Sequence, residues 1–157
     1  MAVSQRTLHH FTFVLLCVSA IFVIVATAAN YWTVLKVNSD FHQGLWRRCN
    51  GKTCFDVDDE NLHATRILMV LSCVCYGFAL AYCVLVHIVK NLSIKFLAAI
   101  LLITCIFEIS GLSVYTDKIG SHAEYIYGWS YGLGWSSTIF TGIAACLCLV
   151  ESGYNRL

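Results

Sequence analysis

The sequence predicts an all-α membrane protein, a four-transmembrane-helix bundle carrying a small extracellular antiparallel β-sheet. Three observations predict it. Only 12% of the 157 residues are charged and 59% are apolar, against about 25% charged in soluble domains. Mean hydropathy is +0.72, and four long tracts are almost free of charge. A globule of 17.5 kDa has too little interior for this much Leu, Ile, Val and Phe, since a domain of this size buries only about two thirds of its surface. The lipid bilayer is therefore the first partner. A net charge of +1 supplies no basic field for nucleic acid.

The tracts run between Arg6 and Lys36, between Arg66 and Lys90, between Lys95 and Asp117 with Glu108 inside, and between Glu124 and Glu151. Each exceeds the ~20 residues that carry an α-helix across the hydrocarbon, where helices are favoured because every backbone polar group must be paired internally. Spans are expected near 9–30, 67–89, 96–116 and 126–149, in one domain over 1–157 with a long extracellular loop at 31–66. The absence of Pro leaves the helices fairly straight. The first tract also fits a signal peptide cleaved after Ala26-Thr27-Ala28. The length of the apolar run to Ala29, and the Tyr31-Trp32 pair that follows at once, favour a retained span ending in an interfacial belt.

An even number of spans puts both termini on one side. The terminal side holds four basic residues (Arg6, Lys90, Lys95, Arg156) and the other side six (Lys36, Arg47, Arg48, Lys52, Arg66, Lys118), a count that by itself places the termini outside. The cysteines point the other way. Cys49 and Cys54 are the two outside the spans, and a bridge between them needs an oxidising compartment. The expectation is a multi-pass plasma-membrane protein with cytosolic termini.

The loop has strand-like segments at 31–37, 41–49 and 53–57, separated by Asn38-Ser39-Asp40 and Asn50-Gly51. A hairpin at Asn50-Gly51 brings Cys49 and Cys54 together across neighbouring strands. Closing so short a loop stabilises by less than the roughly 3 kcal/mol of a 15-residue loop, so such a bridge chiefly pins register.

Trp32, Gly44-Leu45-Trp46, Cys49, Cys54 and then Arg66 at the mouth of the second span resemble the W-GLW-C-C signature of the claudin and peripheral myelin protein superfamily, which with four spans covers the whole chain. His42 to Arg47, Ala64-Thr65-Arg66, and Trp129-Ser130-Tyr131 with Gly134-Trp135 look most like its lens fibre membrane intrinsic and epithelial membrane protein branch. The resemblance implies a claudin-like fold, Trp46 packed on the outer helix ends, a Cys49–Cys54 bridge, and Arg66 as an interfacial anchor. The sequence departs from tight-junction claudins in its closely spaced cysteines, its brief 117–124 loop, and a Tyr154-Asn155-Arg156-Leu157 ending without the tyrosine-valine tail. A selective paracellular pore is thus not implied. The implied function is non-enzymatic: cell–cell adhesion or organisation of junction and membrane, with membrane proteins in cis or trans, itself included, as partners. Phe41, Arg47, Arg48 and Phe55 are the expected contacts, the two arginines because complementary charge sets orientation. Two alternatives are an auxiliary subunit of a channel or receptor, and a pore or transporter in which Glu108 faces water.

Glu108 is costly in hydrocarbon and should face the bundle, tying helices together through hydrogen bonds. Gly128, Gly132 and Ser136, with Gly134, Thr138 and Gly142 one row away, offer close approach to another helix, most simply the first or third span. Asp56-x-Asp58-Asp59-Glu60 lacks the glycine turn of a calcium loop and reads as a solvated strand end. Cys49, Cys54, His42 and His63 could hold zinc, but the bridge is favoured, and no metal or other cofactor is expected. The span cysteines act as small hydrophobes, with Cys83, Cys146 and Cys148 nearest the cytosol as acylation candidates. Asn91-Leu92-Ser93 matches a glycosylation sequon on the cytosolic side, where it stays unmodified. No phosphate loop, metal pair or nucleophile elbow is present, and the histidines are scattered, so neither an enzyme nor a small-molecule substrate is expected.

Overall fold

The computed structural model describes residues 5–37, 40–89, 92–120 and 124–154. Asn38-Ser39, Lys90, Asn91 and Asn155-Arg156-Leu157, all invoked above, lie outside the described residues, as do His122, one of the scattered histidines, and the side chain of Arg6. Four helices, α1 (Gln5–Ala28), α2 (Glu60–Ile88), α3 (Ile94–Gly120) and α4 (Trp129–Tyr154), carry five short strands at the end of the bundle away from the termini. The strands are β1 (Thr33–Leu35), β2 (Phe41–Gln43), β3 (Arg47–Asn50), β4 (Thr53–Asp56) and β5 (Tyr125–Tyr127).

All four helices are long and apolar enough to cross a bilayer, over Thr7–Ala28, Leu62–Ile88, Ile94–Lys118 and Trp129–Gly153. Their surfaces are inverted relative to a soluble bundle: Phe78, Ile88 and Ile106 stand exposed while Tyr76, Glu108 and Thr141 are buried. Several hydroxyls along the spans bond back to their own helix, as Ser19 does to Leu15 O, Thr104 to Ile100 O and Thr116 to Leu112 O, which spares those groups an unpaired state in hydrocarbon. Closest packing joins α1 to α4, α2 to α3 and α3 to α4, and the α1–α2 seam is sparse.

Helix ends differ from the apolar tracts. The second helix starts at Glu60, well before residue 67, because Arg66 ends an apolar run without ending a helix. Its acidic first turn also suits the positive end of the helix dipole. The segment outside the helices therefore stops at residue 59. In α4, Gly134 lies against α3, where an added Cβ would come within 2.9 Å of Leu112 Cδ2. A Cβ on Gly132 or Gly142 meets nothing within 4 Å, so these two glycines do not serve close packing inside the bundle, contrary to the spacing argument.

The strands form one antiparallel sheet in the order β4-β3-β2-β1-β5. The stretch 41–49 is two strands rather than one, folded back at Gly44-Leu45-Trp46, with Gly44 N donating to Arg47 O at 2.8 Å. This turn is pressed onto the end of α1, where a Cβ on Gly44 would stand 2.5 Å from Ala29 O. The fourth span does not start at 126, because Tyr125-Ile126-Tyr127 pairs with β1, Thr33 opposite Tyr127 and Leu35 opposite Tyr125. The chain then turns into α4 at Gly128, where a Cβ would be 2.1 Å from Tyr31 O. Only glycine fits that corner, and its role is strand-to-helix closure rather than helix–helix approach.

Candidate functional site

The cap is built on the last turn of α1. Carbonyls there lack intrahelical donors, and no glycine cap follows Ala28. Indole N–H groups take that place: Trp32 Nε1 donates to Ala26 O at 2.6 Å and Trp46 Nε1 to Thr27 O at 2.8 Å. Trp32 is fully buried, edge-on to Tyr115 of α3 at 4.7 Å and to Tyr131 of α4 at 6.0 Å. Arg66 reaches up from α2, its Nε donating to Leu45 O at 2.6 Å and its Nη2 to Val57 O. Its guanidinium also lies over the Trp46 ring, 5.5 Å from the centroid. Leu45 is buried beneath this lock. The motif residues Trp32, Gly44, Leu45, Trp46 and Arg66 thus join helix ends to sheet.

The outer half of the cap is the β3–β4 hairpin. Gly51, at φ 59°, occupies the first turn position, and Asn50 pairs with Thr53 to close the turn. Asn-Gly is therefore read one residue out of register with the turn: Gly51 and Lys52 make the corner, in the pattern of a type II′ turn. The next pair is Cys49 opposite Cys54, disulfide-bonded with Cα atoms 4.1 Å apart, the spacing of a non-hydrogen-bonded antiparallel pair.

Register sorts the four expected contact residues into two groups. Gln43, Arg48 and Phe55 are directly opposite one another across β2, β3 and β4, and so share a face. Phe41, two residues from Gln43, is on that face too. Arg48 donates from Nε to Gln43 Oε1 at 2.9 Å and lies 5.9 Å from the Phe41 ring centroid, while Phe55 is 68% exposed. Arg47 points to the other face, where it pairs with Asp56 at 3.3 Å. The two arginines do not present to one partner together. Around the base of the cap, Tyr31, Trp46, Tyr127 and Trp129 form an exposed aromatic rim, with Tyr31 stacked on His42 at 3.9 Å.

Cys49 and Cys54 are consumed in the bridge, and the His42 ring is held by its contact with Asn30 O at 2.8 Å, so the zinc combination is not assembled. Glu108 is fully buried, its Oε1 receiving Ser137 Oγ at 2.7 Å and Tyr76 OH at 3.2 Å, and the same tyrosine hydroxyl meets Thr141 Oγ1. It joins α2, α3 and α4 and does not face water, against the pore alternative. Of the three acylation candidates, Cys83 and Cys148 are buried, closed to a modifying enzyme, and Cys146 is exposed. Sequence reasoning missed the α1 carbonyls as the seat of the cap, and missed β5, whose aromatic and β-branched triplet before a glycine was its one local signal.

The PMP-22/EMP/MP20/Claudin family model matches residues 6–148. The lens fiber membrane intrinsic protein of Rattus norvegicus is 33% identical over 141 residues, covering 81% of each chain. Epithelial membrane protein 1 of Homo sapiens is 28% identical over 146 residues, 88% of this chain and 92% of that one. Claudin domain-containing protein 2 of Mus musculus is 28% identical over 143 residues, 85% of this chain and 80% of its own. With four membrane-length helices, a disulfide-pinned antiparallel sheet and this match, the chain belongs to the PMP-22/EMP/MP20/Claudin family of tetraspan membrane proteins.

Proposed function

We propose that the chain is a non-enzymatic adhesive or membrane-organising protein of the plasma membrane, with its cap outside the cell and both termini cytosolic. The observation that carries this reading is one face of the cap, where Arg48 and the protruding Phe55, on a hairpin held by a disulfide, lie beside Phe41 of the neighbouring strand β2. A rigid exposed aromatic beside a cation has the make-up of an interface anchor, and Arg47, ion-paired on the opposite face, offers a second, charged surface. The partner is a membrane protein on the apposed or the same membrane. Cell aggregation tests it: Arg48→Glu and Phe55→Ala, expressed at the surface at wild-type level, lose clustering. Clustering by both variants as strongly as wild type overturns the assignment. Crosslinking in native membranes, with capture chiefly of one channel or receptor, would replace adhesion by the auxiliary-subunit reading.

A further inference from the structure

At the opposite end of the bundle from the cap, the sparse α1–α2 seam leaves a cleft of about 210 Å³. Three imidazoles stand at its mouth. His9 stacks on His87 with centroids 5.4 Å apart, and His10 tilts against His87 at 5.3 Å. Phe13 and Val84 line the cleft a turn deeper, with Ile88 beside His87, so it is apolar toward the middle of the bilayer and polar where the helices end.

The three histidines are not equivalent. His9 is buried, with Nε2 facing Cys83 Sγ at 3.9 Å and Nδ1 facing Glu151 Oε2 of α4 at 4.0 Å. His10 and His87 are exposed, and their ring nitrogens have no hydrogen-bond partner among the described residues. Among the described residues no carboxylate lines the cleft, and Glu151 meets only the buried His9. In sequence the terminal side carries Arg6, Lys90, Lys95 and Arg156 against that single acid, so its field favours an anion. A ligand that fills such a cleft has an anionic head and a hydrocarbon chain. We propose that the cleft holds one anionic phospholipid of the leaflet on the terminal side, its headgroup on His10 and His87 and an acyl chain against Phe13 and Val84. With cytosolic termini this is the leaflet rich in phosphatidylserine and phosphoinositides. That orientation decides only where the lipid is met in the cell, and neither the binding nor the cap depends on it.

The test is native mass spectrometry of the full chain released from nanodiscs of phosphatidylcholine and phosphatidylserine in equal amounts. Wild type should retain phosphatidylserine about tenfold over phosphatidylcholine, the factor that one further charge-assisted hydrogen bond, from an imidazole to the serine carboxylate that phosphatidylcholine lacks, supplies. His10→Leu/His87→Leu should bring that ratio to unity with helix content unchanged by circular dichroism, and Cys146→Ser should leave it at the wild-type value. His10→Leu alone, at an exposed ring, reads the same loss if the double variant misfolds. Equal retention of the two lipids by wild type overturns the proposal, as does a folded histidine variant that keeps the preference. Displacement of the lipid by glycerophosphoserine as readily as by phosphatidylserine also overturns it, since the apolar half of the cleft would then contribute nothing.

Discussion

Trp46 and Arg66 show what the motif side chains do individually. Trp46→Phe keeps a ring beneath the guanidinium and deletes the N–H to Thr27 O, a loss of about 1 kcal/mol. Arg66→Met keeps the bulk and strips two carbonyls, Leu45 O and Val57 O, of their donors. Leaving the buried Leu45 O and the half-buried Val57 O unmet makes it the more damaging change, about 2 kcal/mol or more, and unfolding of both variants in matched micelles checks the order. Glu108→Gln retains an oxygen for Ser137 and Tyr76, so its stability should stay within about 1 kcal/mol of wild type, given that interhelical hydrogen bonds in membranes average about 0.6 kcal/mol. Ion flux through reconstituted vesicles should not change. A flux that Glu108→Gln alters would mean that this carboxyl meets water after all.

Elements meet at corners where backbone lies against backbone, and there the glycines part company. Gly128→Ala places a Cβ against Tyr31 O, which neither strand nor helix can yield without moving β1 from β5, and the cost is about 2 kcal/mol, in the range of overpacked cores. Gly132→Ala, with open space around it, should stabilise α4 by up to about 1 kcal/mol through helix propensity. Opposite signs in one thermal unfolding series are the expected outcome. The hairpin answers a different test. Cys49→Ala/Cys54→Ala releases a short loop worth about 2 kcal/mol while leaving the helices intact, so trypsin should cut at the exposed Lys52 faster with circular dichroism unchanged.

At the scale of the whole molecule, α1, β1, β5 and α4 form one continuous support, since β1 leaves the end of α1 and β5 leads into α4. Sidedness is checked with an amine reagent that cannot cross membranes: Lys52 should label on intact cells and Lys95 only after permeabilisation, and the reverse pattern would invert the proposed orientation. The sequence by itself determined the four spans, the polar segment that becomes the cap, and the pair Cys49 and Cys54 on either side of Gly51. Apolar length and turn chemistry belong to contiguous residues, so they are legible without a fold. Other features belong to pairs distant in the chain. The break of 41–49 at Gly44 is imposed by Ala29 and Asn30 of the α1 exit, β5 is a strand only because Thr33 to Leu35 lie beside it, and register alone puts Arg48 with Phe55 and Arg47 with Asp56. Hydrophobicity fixed what enters the bilayer, whereas backbone hydrogen bonds made across the chain decided which side chains the cap displays.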